Sequence, residues 1–412
     1  MSTFLPLPKV TALILRPGLT GPQILAFHHP TAGLQLPAGT IDPGETPEAA
    51  VLREAEEESG LTRLRLVSKL GVVEVQAEPG QGWLLRSLRP LEAPHPGAAE
   101  VAQRIGRAWP VSVDERRAGL VHVTYTESDL NYTPPLFQWS VAGWVPQADL
   151  ATAQVRHFYH LEAAAPTDPS WQWRADHGHI FRFEWLPLDP PPALIPPQDG
   201  WLRHLPAGPG PAQVIIEQGD LALRKLQPHP TDYAALQRWL SDPRVLEFYA
   251  GRDQAFDLAR VSAQFDPAAA AAAGETPCLI FYKGWAAGFL QFYPLASQAA
   301  CADYGLTAAG SLSAAGDLTA ASGNPWALDL FIGQPELWSR GLGTKLLNAF
   351  ADWLFSNTPA TALAVDPHAD NLRAIRAYEK AGFRRHKLLP AHKLHEGKWV
   401  DCVVLVKSAF GN

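Results

Sequence analysis

The chain has 412 residues, enough for two domains that each bury a core of their own. Its 34 Lys and Arg are outnumbered by 41 Asp and Glu, giving a formal charge of -7, so it lacks the basic excess that an extended nucleic-acid partner requires. Three cysteines, Cys278, Cys301 and Cys402, are odd in number and lack paired spacing, which argues against a disulfide framework or a zinc site and for a reducing, cytoplasmic setting. The opening MSTFLPLPKVTALIL has no basic n-region, and no apolar run reaches the length of a bilayer span, so no membrane partner is expected.

In chain order, Val10 to Leu15 and Gln23 to Phe27 are short apolar runs bounded by Pro and Gly, and both read as strands. After Leu36-Pro37-Ala38-Gly39 the pattern turns rich in Ala, Glu and Leu. Thr46 as N-cap and Pro47 at the first helical position predict a helix from about Pro47 to Ser59, ended by Gly60. Further strands are expected at Arg65 to Gln76, Gly119 to Tyr125, Val155 to Leu161 and His179 to Leu186.

On that helix Glu54, Glu57 and Glu58 are spaced i, i+3, i+4 and share one face. Three crowded like charges call for a positive neighbour, and a hard cation such as Mg²⁺ or Mn²⁺ with oxygen ligands is the simplest one. Gly39 at the loop entrance lets a backbone carbonyl approach such an ion. Glu45 and Arg53 are expected to pair and fix the loop against the helix. The stretch GTIDPGETPEAAVLREAEEESGL, Gly39 to Leu61, resembles the Nudix box G-x5-E-x7-R-E-U-x-E-E-x-G-U, with Ala55 at the bulky apolar position. The resemblance covers roughly Val10 to Leu205. It implies a mixed-sheet α/β/α sandwich, with Gly39, Glu54, Glu57 and Glu58 as metal ligands, one glutamate as general base, and a substrate built on a nucleoside diphosphate. The aromatic residues Phe158, Tyr159, Trp171, Trp173, Phe181 and Phe183 have two readings, a base-stacking surface or ordinary core.

Pro187 to Pro197 is proline-rich, and Pro206-Ala-Gly-Pro-Gly-Pro211 sustains neither helix nor strand. Gln198 to Leu205 is expected as a last helix. The domains are therefore placed at 1–205 and 219–412, joined by a linker at 206–218. The second half opens with a strand at Leu221 to Leu226 and a helix near Asp232 to Leu240. Ala268 to Ala273 suits a helix, whereas Ser297 to Gly323 holds too few large apolar groups to order itself.

Next, WALDLFI alternates like a strand, and a helix from about Gly343 to Phe355 follows Arg340-Gly-Leu-Gly-Thr344. Glycines at a helix N-terminus let backbone amides close on a pyrophosphate. Downstream, NLRAIRAYEKAGF places Asn371, Ala374 and Tyr378 on a helix closed by Gly382. Together these resemble the acetyl-CoA-binding motifs of the GNAT superfamily, closest to aminoglycoside 6'-N-acetyltransferases, over about Asp220 to Val406. Trp338 stands where the family has Arg or Gln.

The resemblance implies a mixed sheet flanked by helices, so the whole chain is expected as α/β and α+β in two domains. It also implies acetyl-CoA as co-substrate, bound by Arg340, Gly341, Leu342, Gly343, Thr344 and Asn371. Asp329 is expected as the base and Tyr378 as the donor to the leaving thiolate. Asp366 and Asp370 have two readings, negative charge suited to a cationic amine acceptor or caps of the loop. His386, His392 and His395 lack a matching Cys or carboxylate pattern and are placed in a loop. Two other readings stand beside the bifunctional one: a nucleotide-sensing Nudix module that does not hydrolyse, and acetylation of a protein amine.

Overall fold

The computed structural model describes residues 5–175, 178–306 and 323–410. Two compact units emerge: one holds the chain up to Leu15 together with Gln23–Ala207, and the other holds Arg16–Pro22 together with the chain from Gly208 onward.

The first unit runs β1 (Leu7–Pro17), β2 (Pro22–His29), β3 (Gly33–Gln35), β4 (Ala38–Thr40), α1 (Pro47–Ser59), β5 (Leu64–Gln76), β6 (Gln81–Leu84), β7 (Pro110–Arg117), β8 (Leu120–Asp129), β9 (Leu136–Pro146), β10 (Leu150–Ala151), β11 (Ala153–Ala163), β12 (Ser170–Arg174) and β13 (Ile180–Pro187). Its mixed main sheet has the order β12-β13-β2-β1-β11-β5, with β3 beside β2 and β4 beside β1. Strands β1 and β11 pair in parallel from Leu7↔Gln154 to Leu15↔Glu162 and carry the apolar centre, where Leu13, Ile14 and Phe158 are buried. Such continuous burial is what a strand covered on both faces shows.

Helix α1 begins and ends on local chemistry. Thr46 accepts from the Ala49 amide, Pro47 opens the first turn, and Gly60 closes it at φ 74°. The indoles of Trp171 and Trp173 donate to the carbonyls of Ser59 and Glu57 at 2.8 and 2.9 Å, which ties the helix end to β12.

A second sheet, β10-β6-β7-β8-β9, was not foreseen. Strand β7, PVSVDERR, is too polar to announce itself, and β9 is buried only toward its C-terminal end, leaving Leu136 and Phe137 exposed. Its core gathers Val111, Val121, Val123, Val141 and Val145. Gln198 to Leu205 takes the tighter 3-10 form over Gln198–His204.

The second unit runs β14 (Val214–Gln218), β15 (Leu221–Lys225), α2 (Pro230–Trp239), α3 (Pro243–Leu246), α4 (Leu258–Gln264), α5 (Pro267–Ala272), β16 (Thr276–Tyr282), β17 (Trp285–Pro294), α6 (Gln298–Asp303), β18 (Trp326–Ile332), α7 (Leu342–Asn357), β19 (Ala362–Val365), α8 (Leu372–Lys380), β20 (Arg384–His395) and β21 (Lys398–Ser408). The expected linker at 206–218 is shortened by β14, whose Val214, Ile215 and Ile216 suit a strand and pair with β15. Ser297 to Gly323 also departs from expectation at its start: Ser297 caps α6, and Cys301 is buried against Leu295 and Ala327. The rest of that expectation, at 307–322, lies outside the described residues. His386, His392 and His395 sit on strand β20 rather than in a loop.

The sheet order is β14-β15-β16-β17-β18-β19-β21-β20. One face packs on α7 and α8 through Leu346, Leu347, Phe350, Ile375 and Tyr378, and the other packs on α2 to α4 through Leu236, Trp239, Val261 and Phe265. Strands β18 and β19 are parallel but pair only at Trp326↔Leu363 and Ala327↔Ala364, so they part beyond Ala327. The functional residues of this unit gather around that parting.

Candidate functional site

In the first unit the glutamates of α1 are brought to the β4 loop, and the structure compensates them with a guanidinium. Arg53 lies 2.9 Å from Glu45, 3.0 Å from Glu54 and 3.1 Å from Glu57. The expected pairing of Glu45 with Arg53 is present. It holds the Glu45 carboxyl below its ordinary range, and hydrogen bonds to Glu45 push the arginine up. Glu54 also accepts from the Thr40 amide at 3.0 Å and Glu58 from the Ala38 amide at 3.0 Å. Burial raises the Glu54 carboxyl despite Arg53. Gly39 is where the loop meets the helix: a Cβ there falls 1.8 Å from Cδ of Glu54, so no larger residue fits without moving that carboxylate.

The donors are hard oxygens, the kind Mg²⁺ takes. Among the described residues, however, no group of three or more His, Cys, Asp or Glu converges in an arrangement that could hold a metal ion. Glu54 and Glu58 are turned to backbone amides, and Glu54 and Glu57 to Arg53. Three further cations stand nearby that sequence reasoning missed. Lys9 bonds the Thr40 hydroxyl at 2.8 Å and is lowered to about 8 by burial and then by Arg156. Arg107, from the segment between β6 and β7, reaches Asp42 and the Ile41 carbonyl, each at 2.5 Å. The signal for these was absent, because they converge from positions 9, 107 and 156. Of the aromatic stretch, Phe158, Tyr159, Phe181 and Phe183 are core and Trp171 stacks on Phe183 at 5.3 Å, whereas Trp173 is exposed.

In the second unit a cavity of about 480 Å³ opens where β18 and β19 part, and its wall includes Leu330, Ile332, Gly341, Gly343, Asn371 and Tyr378. Gly341 caps α7 at φ 82°, a left-handed conformation in which glycine leaves the helix amides open. Leu342 and Thr344 also line the cavity, and the Thr344 hydroxyl reaches the Ala377 carbonyl at 3.4 Å. Arg340 is exposed and lies outside the lining. Asn371 caps α8 by accepting from the Ala374 amide at 3.1 Å.

Positive charge comes instead from Arg244, Arg373, Arg376 and Lys380, all on the cavity wall and none singled out from sequence. The Arg373 guanidinium lies 3.8 Å over the ring of Trp338, whose indole donates to the Ile332 carbonyl at 2.7 Å. The tryptophan that replaces the family's Arg or Gln thus holds an arginine from α8 in the same cavity.

Asp329 is on β18 opposite Gln291 of β17. Burial raises its carboxyl to about 6, Lys393 opposing and Asp366 and Glu275 adding to the rise. Its hydroxyl neighbour is Tyr293, at 3.5 Å. Glu275 is bonded to Gln291 at 2.7 Å, and Asp366, 6% exposed, is paired with Lys393 at 2.9 Å. Asp370 is exposed. Tyr378 belongs to the opposite face of the sheet, where burial, and then Asp329 and Asp366, push its phenol up and keep it protonated. The three histidines of β20 go separate ways: His386 to the Gly305 carbonyl, His392 toward Asp366, and His395 to the Glu247 carbonyl.

Comparison with known proteins bears on both units. Residues 229–390 match the family described as acetyltransferase (GNAT) domain, and residues 6–97 match the NUDIX domain. An aminoglycoside N(6')-acetyltransferase type 1 of Klebsiella pneumoniae is 32% identical over 183 residues, spanning 42% of this chain and 78% of that protein. The chain belongs to the GNAT acetyltransferase family. A kanamycin resistance protein of Rhizobium radiobacter is 45% identical to this GNAT chain over 58 residues, 14% of the chain and 54% of the relative. Among solved structures, an aminoglycoside acetyltransferase in complex with coenzyme A is 28% identical, covering 46% of the GNAT chain and 96% of its own, with a TM-score of 0.35. The NUDIX domain precedes the acetyltransferase domain in the same polypeptide. No helix among the described residues is long and apolar enough to cross a membrane.

Proposed function

We propose that the chain is a bifunctional enzyme, with the first unit as the Nudix domain and the second, β14 included, as the acetyltransferase, which transfers an acetyl group from acetyl-CoA to an amine of a small cationic acceptor of the aminoglycoside or polyamine kind. The observation that carries this reading is the pairing of a cation-lined cavity at the N-terminus of α7 with the carboxylates Glu275, Asp329 and Asp366 at the neighbouring strands. The amides at Gly341 to Thr344, with Arg373 and Arg376, hold the pyrophosphate of acetyl-CoA, while the carboxylates hold ammonium groups of the acceptor. A carboxyl poised near 6 is ionised at neutral pH and takes the proton of the attacking amine. The amine nitrogen adds to the thioester carbonyl, the C–S bond breaks, and protonated Tyr378 supplies the proton that the thiolate takes up. The comparison with aminoglycoside and kanamycin resistance proteins supports this acceptor class.

For the first unit the reading is hydrolysis of a phosphoanhydride in a nucleoside-diphosphate derivative. Glu54, Glu57 and Glu58, with the Gly39 carbonyl, are the residues that would hold Mg²⁺ or Mn²⁺ once the carboxylates turn from the Ala38 and Thr40 amides and from Arg53. A bound divalent ion supplies charge neutralisation at the phosphate and an activated water. Arg53 offsets the charge of Glu54 and Glu57 until then, and Lys9 and Arg107 offer positive charge to the phosphates. The expected setting is the cytoplasm.

The test of the acetyltransferase reading is CoA release from acetyl-CoA with kanamycin as acceptor, by the whole chain and by Asp329→Asn. Turnover in the parent that falls about 10²-fold or more in the variant, with acetyl-CoA affinity retained, supports it. Equal turnover in both overturns the role of Asp329. For the first unit, Mg²⁺-dependent release of phosphate products from ADP-ribose and related dinucleotides by the parent, lost in Glu57→Gln, is the expected result. A chain that binds these compounds without cleaving them is a sensor.

A further inference from the structure

The acceptor carboxylates in this chain are not waiting empty for an amine: one of the chain's own amines is already there. Lys393 on β20 places Nζ 2.9 Å from Oδ2 of Asp366, which is itself buried. The reach depends on an irregularity of the β20–β21 hairpin. Leu389 faces Cys402 and Lys393 faces Val400, so four steps along β20 match two along β21. The excess is taken up at Pro390 to His392, where Ala391 adopts φ 46° and its amide donates to Asp401 at 2.8 Å. A bulge of this kind re-aims the side chain that follows it.

We infer that Lys393 is a tethered stand-in for the acceptor's ammonium group, occupying the Asp366 subsite in the free enzyme and displaced from it when a polycationic acceptor binds. The inference rests on the acceptor reading above and deepens it by naming a residue that sets acceptor specificity. Several observations support it. Burial alone lowers the Lys393 amine, but Asp366 and then Asp329 more than reverse this, so it is held as an ammonium ion. The same ammonium acts on Asp329 in the lowering direction, so one cation serves both carboxylates. Among the described residues Glu275 is bonded to the neutral Gln291 amide and acts on Asp329, so two carboxylates share Lys393 while a third stands beside Asp329; the His392 imidazole, 3.7 Å from Asp366, is the other basic group at this subsite. An incoming molecule must therefore outbid a local ammonium at Asp366. A molecule with one amine exchanges one ion pair for another and gains little, whereas one with several amines also engages Glu275 and Asp329. Lys393 thus selects for multiply charged acceptors by penalising singly charged ones.

The experiment measures spermine binding to the full chain by calorimetry in the parent, Lys393→Met, Lys393→Arg and Asp366→Asn. The methionine variant keeps the stem and removes the competing charge, so spermine binds about tenfold more tightly, whereas Lys393→Arg stays near the parent. Asp366→Asn binds more weakly than the parent. Unchanged or weaker spermine binding in Lys393→Met, with Asp366→Asn still weakened, overturns the stand-in role and leaves the acceptor site in place. Spermine binding that is indifferent to Asp366→Asn sinks the acceptor reading and this inference with it. A second measurement needs no variant: acetic anhydride labelling of Lys393, read by mass spectrometry as a ratio to the exposed Lys398 because spermine itself consumes the reagent, rises several-fold when saturating spermine displaces the amine from Asp366. A ratio that stays constant or falls with spermine overturns the inference, since a merely structural ion pair stays closed.

Discussion

The two units each solve the problem of crowded carboxylates, and they solve it at different ranges. In the first, Glu54, Glu57 and Glu58 come from two turns of one helix, and their compensating cation, Arg53, comes from the same helix. In the second, Glu275, Asp329 and Asp366 come from three separate places in the chain, and the lysine shared by Asp329 and Asp366 comes from a fourth. A site written on one helix can be read as a motif. One assembled by sheet register has no contiguous text to read, even when its chemistry is as specific.

The largest expected difference between the two sites is functional independence. Glu57→Gln lowers Mg²⁺-dependent hydrolysis by about 10³-fold while acetyl transfer stays at the parent rate, measured on one preparation. Loss of both activities in a folded variant breaks the two-site comparison. Next is Gly39→Ala, whose added carbon meets Glu54 at 1.8 Å. A displaced carboxylate lowers hydrolysis by about 10²-fold, again without effect on acetyl transfer.

The pH dependence of the second site is a gentler probe. With Asp329 raised to about 6, the base is protonated below that value. The pH profile of kcat/KM for acetyl transfer then falls about tenfold per unit below pH 6 and is flat above it until the acceptor amine titrates. A profile flat down to pH 5 removes Asp329 from the proton path. The smallest effect is at Asn371, which caps α8. Asn371→Ala costs about 1 kcal/mol, seen as a modest drop in Tm, and weakens acetyl-CoA binding only to the extent that its remaining amide group touches the ligand.

What was legible divides along the same line. Helix α1 is where Thr46, Pro47 and Gly60 put it, because caps act within one turn. The helix after Arg340-Gly-Leu-Gly-Thr344 and the one after Asn371 were equally plain. Strands β7, β9 and β12 were not, since their polar stretches owe their pairing to neighbours rather than to an alternating pattern of their own. At the second site Asp329 and Asp366 were visible, but Glu275, Tyr293 and Lys393 meet them only through the order of β16, β17, β18 and β20. The exposed Arg340 was singled out because it neighbours the glycines, whereas Arg373, fixed on Trp338, faces the cavity.

The parting of β18 from β19 has one more consequence. From Leu328 to Ile332 the outer edge of β18 carries no strand partner in the register that pairs Trp326 and Ala327. An open edge of this kind ordinarily invites another chain to add on, and proteins guard against it with charge or cover. Here the edge runs into a recess walled by Arg244, Arg373, Arg376 and Lys380. The basic side chains that wall the recess stand beside that edge, as charge guards edges elsewhere. On the reading proposed above, the seat for an anionic donor and the guard on an open edge are thus two uses of the same gap.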